Sequence, residues 1–280
     1  MHNIFSAFIV LSLAVCSVFF GMLYFRKYRI DRPPVGVLNL SDLLAMMVGI
    51  VFVPFLYLIL PVWIVAGLLG LSALNLLYTA WQPIVRSPLV IWTLCIVFIG
   101  ADMWTAFQFG VQNNIFFAIN DVVIIMLIIG LANLWAQSGM KARDVAILAS
   151  FLAVYDLIAT TLLPLMQNMM TRLAGLPLAP VITWRTSAPH EEFRFIAVGI
   201  GDLLLATVFP LVMRKAFGKR VGYSAMCLML SAILAIFAFP MVEIFPAMVV
   251  LGPIMLGQYL FCRHQGLTER TTYEYLQEES

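Results

Sequence analysis

Charge is what this chain of 280 residues has least of: Asp, Glu, Lys and Arg make up 11% of it, against 63% apolar residues. Soluble domains carry about a quarter charged residues, so with a mean hydropathy of +1.00 the soluble globular class is excluded. The net charge of +2 is small, and no basic stripe with interleaved aromatics occurs, which argues against a nucleic-acid partner. Cysteine is also scarce. Cys16, Cys95, Cys227 and Cys262 lie in or beside apolar runs with no CxxC or Cys/His spacing, so neither a metal site nor a disulfide frame is expected. Each reads as a small buried hydrophobe. The first apolar run, Ile4 to Phe25, lacks a basic leader and exceeds the ~7–15 residues of a signal-peptide core. It reads as a membrane helix, and Leu13 to Cys16 makes a poor lipobox because Val15 is not small.

What the chain has in abundance is apolar runs of spanning length. A helix needs about 20 apolar residues to cross the hydrocarbon core. Cutting at prolines, glycines and charged clusters yields an all-α polytopic membrane protein with about nine spans: 4–25, 42–60, 62–80, 88–109, 115–136, 143–167, 194–213, 222–240 and 245–262. Pro61 is the only break between the second and third, and a single kinked helix there would leave eight. The whole reads as one transmembrane domain, with a helix bundle over 1–137, a second group of helices over 138–262 and a polar tail over 263–280.

Lysine and arginine in short loops are retained in the cytoplasm. With nine spans, one side collects Arg26, Lys27, Arg29, Arg32, Arg86, Lys141, Arg143, Arg214, Lys215, Lys219, Arg220, Arg263 and Arg270. The other side has only Arg172, Arg185 and Arg194. The expected orientation is N-terminus outside and C-terminus inside. The sequon Asn39-Leu40-Ser41 then falls on the cytoplasmic side, where it cannot be glycosylated.

Apart from Asp42 and Asp144 at the very ends of their spans, four of the fourteen acidic residues fall inside the spans: Asp102, Asp121, Asp156 and Asp202. An ionisable group at membrane depth costs about 2.5–3.5 kcal/mol on insertion scales, so each is a candidate functional residue. Asp102 and Asp121 lie toward the outer ends of their spans, near Gln108, Asn113 and Asn114, and read as a polar network. Asp156 and Asp202 lie deeper, on antiparallel neighbours, about 11 residues before and about 8 after the outer loop, which puts both roughly 12–17 Å from the outer boundary. Two carboxylates in one site cannot both ionise cheaply, so the pair holds one proton. The ionised member can activate water while the protonated one serves a carbonyl oxygen or leaving amine, with no metal or cofactor. Gly199 and Gly201, flanking Ile200, would loosen the helix and let a substrate backbone approach Asp202.

These residues resemble a known family. Tyr155-Asp156, Gly199-Ile200-Gly201-Asp202 and Pro246-Ala247-Met248 are similar to the YD, GxGD and PAL motifs of the presenilin and signal peptide peptidase intramembrane aspartyl proteases. Asn113-Asn114-Ile115, Ala179-Pro180-Val181-Ile182, the stretch FPAMVVLGP and Tyr273-Glu274 lean toward the signal peptide peptidase branch, whose N-terminus is also outside. The resemblance implies a presenilin-like fold, catalysis by Asp156 and Asp202, and a supporting role for the third motif near them. It also implies that the substrates are transmembrane peptides, signal-peptide remnants or type II membrane helices. The chain departs from the pattern at Met248, where the family has leucine, at Phe245, where the branch has glutamine, and in LIATTLLP, which lacks that branch's aromatics.

The stretch Pro180 to Trp184 is β-prone and could pair with an unwound substrate by strand addition, or be a plain outer loop. Pro246 fits an ordinary helix start or an unpaired carbonyl lining a wet cavity. Other functions stay open: a proton- or cation-coupled transporter, a prepilin-peptidase-like GxGD protease, or a silent scaffold. No internal repeat favours the transporter. Partners beyond the bilayer and the peptide substrate are not indicated, and homo-oligomerisation is open. A compact chain without a dibasic retrieval tail points to a prokaryotic cell membrane rather than the endoplasmic reticulum.

Overall fold

A computed structural model describes residues 2–30, 40–163, 165–173, 175–186, 195–238, 246–270 and 274–275. Asn39, Arg32, Arg194, Phe245 and Tyr273 lie outside the described residues. The elements run α1 (His2–Lys27), α2 (Leu40–Ile59), α3 (Val62–Trp81), α4 (Pro88–Phe109), α5 (Asn114–Gln137), α6 (Ala142–Leu157), α7 (Leu165–Leu173), β1 (Val181–Arg185), β2 (Phe195–Gly199), α8 (Ile200–Phe217), α9 (Lys219–Ala238) and α10 (Met248–His264). A single π-helical turn, Ile158–Leu162, extends α6. Among the described residues, seven helices are long and apolar enough to cross a membrane: α1 to α6 and α9. The chain is an all-α, multi-pass membrane protein with one small sheet. The α8 helix carries Asp202, Arg214 and Lys215 within its 18 residues, and α10 is 17 residues long.

The surface is inverted relative to a soluble protein. On α4, Phe107 is 89% exposed and Leu89 75%, whereas Asp102 on the same helix is fully buried. A water-soluble helix would do the opposite; in a bilayer, apolar side chains face lipid and polar ones face the bundle. At the centre of that bundle stands α8, whose residues from Leu203 to Ala216 are all buried. It packs against α1, α5, α6, α9 and α10. Small residues permit the close approaches. A Cβ on Gly252 of α10 would stand 2.6 Å from the Ala149 carbonyl oxygen of α6, and one on Gly21 of α1 would collide with the Thr207 methyl of α8.

The α2–α3 break falls at Pro61, as the sequence suggests: Pro61 precedes α3 in an extended conformation (ψ 143°). The Arg172 guanidinium of α7 bonds the carbonyls of Leu58 and Leu60, which the break leaves without helical partners. At the opposite ends, the tail ties helices together. Glu269 Oε1 accepts the Ala142 N–H at the start of α6 (2.6 Å), and Arg270 Nη2 donates to Arg214 O near the end of α8 (3.0 Å). Lys215, buried, donates from Nζ to Ala136 O and Met140 O at 2.7 Å, capping the end of α5.

The expected boundaries hold to within three residues except in two spans. The sixth was expected to run to residue 167 but leaves the helix at Leu163, whose φ of −122° and ψ of 135° are extended, as a residue before proline prefers. The seventh was expected to begin at residue 194, but Phe195–Gly199 is a strand and the helix starts at Ile200. Phe195, Ile196 and Val198 are aromatic or β-branched, and their pairing with Val181–Arg185 outweighs continuation of the helix.

Candidate functional site

Asp156 occupies the last turn of α6, where the helix passes into the π-helical turn. Such turns are rare and cluster at functional sites. Thr160, four residues on, donates from Oγ1 to Asp156 Oδ1 at 3.0 Å. The other carboxylate oxygen, Oδ2, accepts the backbone N–H of Met248 at 3.2 Å. Met248 is the first residue of α10, so this N–H is one of the donors that a helix start leaves without a helical acceptor. Pro246 and Ala247 lie just ahead of the helix, with Ala247 as its cap. Their place explains the motif: Pro246 belongs to the helix start, and the start presents Met248 N–H to the carboxylate.

Asp202 is the third residue of α8, inside its first turn. Both aspartates therefore sit at helix N-termini, Asp202 on its own helix and Asp156 against α10. Aligned peptide dipoles stabilise a negative charge there by about 0.3–1 kcal/mol. The helices that carry them, α6 and α8, touch each other, and both touch α10. Gly199 ends β2 and caps α8. A Cβ on it would lie 3.4 Å from Asp202 Oδ2 and 3.4 Å from the terminal methyl of Met170 on α7. Gly199 stands at the strand–helix junction beside the Asp202 carboxylate, so the expected loosening inside a helix does not apply to it. Beside Gly201, which is exposed, a Cβ would meet nothing within 4 Å. Tyr155 stacks on Phe151 with ring centroids 6.4 Å apart, and its hydroxyl is buried without a hydrogen-bond partner among the described residues.

The hairpin that feeds α8 is antiparallel, with Val181 opposite Gly199 and Arg185 opposite Phe195. Ile200 N–H donates to Pro180 O at 3.1 Å, and alternation along the ladder follows. Ile182, Trp184, Ile196 and Val198 bond across the pair, while Val181, Thr183 and Arg185 on β1 and Phe195, Ala197 and Gly199 on β2 turn their peptide groups outward. The outer edge of β1 is occupied: Asn120 Nδ2 reaches Val181 O, Asp121 Oδ1 accepts Thr183 N–H, and Ser6 Oγ reaches Arg185 O. On β2, the peptide N–H and C=O of Ala197 and the N–H of Gly199 have no partner among the described residues. Among the described residues the open edge is therefore that of β2, three residues from Asp202, whereas Pro180 to Trp184, read from the sequence as either a pairing strand or a plain outer loop, falls on the strand β1, whose outer edge is occupied.

The structure thus brings together Asp156, Asp202, Met248 and the 199–201 turn. Asp102 and Asp121 lie apart from them, against β1 and the segment before it. Sequence reading missed Thr160, for which the i to i+4 spacing after Asp156 was the available signal. All four cysteines are free; Cys95 and Cys262 are buried as expected, but Cys227 is exposed, on the apolar outer face. Asn113 of the expected fifth-helix motif has a local task, accepting Ile115 N–H on Oδ1 at 2.9 Å as the cap of α5. Neither a family model nor a curated protein matches the chain.

Proposed function

We propose that the chain is an intramembrane aspartyl endopeptidase of the signal peptide peptidase and presenilin type, with Asp156 and Asp202 as its catalytic pair. The observation that carries this reading is the arrangement of those two carboxylates on helices in contact, each at a helix N-terminus: Asp202 in the first turn of α8, and Asp156 bonded to the first N–H of α10. Two acids so placed hold one proton between them. The ionised carboxylate takes a proton from water as the water oxygen attacks the scissile carbonyl carbon, and the protonated one gives its proton to the carbonyl oxygen. Collapse of the tetrahedral intermediate breaks the C–N bond, and a proton returned by the pair leaves on the amine. Neither step requires a metal or a cofactor.

In this reading α1 to α6, α8, α9 and α10 are nine spans in a presenilin-like fold, in a prokaryotic cell membrane, with the N-terminus outside. A transmembrane substrate, from a signal-peptide remnant or a type II protein, unwinds and adds as a strand to the outer edge of β2. An unpaired strand edge at membrane depth is tolerated only where it lines a cavity or meets a partner, and strand addition supplies that partner. Gly199 and Gly201 leave room for the substrate backbone beside Asp202.

The test is cleavage of a synthetic transmembrane peptide by purified protein in detergent or liposomes. Asp156→Asn and Asp202→Asn should each abolish cleavage while the protein stays folded, and an aspartyl protease inhibitor that mimics the transition state should block the native protein. Unchanged cleavage in either variant would sink the reading, and proton-coupled solute uptake in its place would favour a transporter.

A further inference from the structure

Apart from the half-buried Asp156 and Asp202, two acids of the spanning helices, Asp102 on α4 and Asp121 on α5, are fully buried, and both bond the same stretch of backbone. We propose that Asp102 and Asp121, with Asn120, are positioning residues that hold the segment Leu178–Thr183 and thereby fix the hairpin that places β2 and Asp202. The proposal rests on the protease reading of Asp202 for its kinetic consequences, though not for its structural ones.

Three side chains grip consecutive groups on one edge. Asp102 Oδ2 accepts Leu178 N–H at 2.7 Å, Asn120 Nδ2 donates to Ala179 O and Val181 O at 3.2 Å, and Asp121 Oδ1 accepts Thr183 N–H at 3.0 Å. Adjacent residues of α5 thus stand in for the missing neighbouring strand, an acceptor beside a donor in the order that the edge of β1 requires. This closes the edge of β1 and leaves that of β2 open. Leu178 supplies a second, independent mark of the same clamp. It is the only described non-glycine residue with positive φ, at 55°, a conformation unfavourable for a branched side chain and maintained where surroundings impose it. Its N–H is the one Asp102 accepts.

The acids work here as hydrogen-bonding groups. Asp102, Asn120 and Asp121 are fully buried, and among the described residues Asp102 Oδ1 and Asp121 Oδ2 have no donor, nor does either carboxyl pair with a Lys, Arg or His. Burying a polar group is costly unless it is hydrogen-bonded, and each carboxyl meets that need with the oxygen that faces the hairpin. In both bonds the carboxyl oxygen accepts, and the side-chain carbonyl of asparagine can take its place. Asparagine is therefore the conservative replacement at either position, and leucine is the one that removes the bond.

The experiment pairs cleavage kinetics with hydrogen exchange on the full-length protein. Asp121→Asn should stay within about twofold of the native protein, whereas Asp121→Leu, which orphans Thr183 N–H, should raise KM about tenfold with kcat much less affected. Asp102→Asn and Asp102→Leu should repeat the contrast at Leu178, and they serve if Asp121→Leu does not fold. Amides of 178–185 and 195–199 should exchange faster in the leucine variants and unchanged in the asparagine ones. Inactivation by Asp121→Asn to the level of Asp202→Asn would overturn the proposal, as would leucine variants with native exchange in the hairpin. If the native protein cleaves nothing, the protease reading fails, while the exchange contrast still decides the clamp.

Discussion

The carboxylate of Asp156 accepts the backbone N–H of Met248 at 3.2 Å, joining the end of α6 to the start of α10 across 92 positions of chain. One hydrogen bond thus links two of the three motifs noticed in the sequence. It also divides the labour at Asp156: Oδ2 faces the α10 terminus, and Oδ1 takes the hydroxyl of Thr160.

Thr160→Val keeps the shape of the side chain and removes that donor. A hydrogen bond to a charged group is worth about 1.5–3 kcal/mol, so kcat/KM for peptide cleavage should fall at least about tenfold. Thr161→Val is the matched control. Thr161 donates only to the Leu157 carbonyl on the exposed side, and its replacement should change cleavage by less than about twofold, as surface substitutions do.

Two glycines should respond in opposite ways. Gly252→Val drives a side chain into Ala149 O and Ala153, 2.6 and 2.8 Å from where its Cβ would stand. Overpacking of this kind costs about 1–3 kcal/mol, so thermal unfolding in detergent should shift down, and α10 should withdraw Met248 from Asp156. Gly201→Ala meets open space and should leave the melting temperature unchanged. A rise in KM for that variant would report a substrate backbone running past the site.

The tail should act on stability more than on chemistry. Glu269→Ala removes the acceptor of Ala142 N–H, and Arg270→Ala removes donors to Ala216 O and Arg214 O. Each loses a helix-end contact worth about 1 kcal/mol. The melting temperature should drop in both, and cleavage measured well below it should be close to native.

Much of this architecture is visible in the sequence because it follows from composition. Spanning helices announce themselves by apolar length, Pro61 by its missing N–H, and Asp156 and Asp202 by being acids where acids are costly. Phe195–Gly199 misleads for the same reason: FIAVG is as apolar as any helical turn, and a short apolar run does not declare its period. Its identity comes from a partner strand whose register only the folded chain reveals. Thr160 is one of two adjacent threonines, and its i to i+4 spacing from Asp156 is the one local mark that sets it apart from Thr161. The contacts of Asp102 with Leu178 and of Asp121 with Thr183 span 76 and 62 positions, and no local pattern encodes them.

Orientation can be checked with single cysteines in a background lacking Cys16, Cys95, Cys227 and Cys262. With the N-terminus outside, Gln112→Cys between α4 and α5 should react with an impermeant maleimide on intact cells. Gln82→Cys between α3 and α4 should react only after lysis. The reverse pattern would reject the proposed topology.

The most direct test of hydrolysis by the aspartate pair is mass spectrometry of a synthetic transmembrane peptide incubated with purified protein in heavy-oxygen water. Hydrolysis predicts two fragments, with one heavy oxygen in the new carboxyl terminus, from the native protein and none from Asp202→Asn. An intact peptide with the native protein, or equal cleavage by the variant, would contradict it.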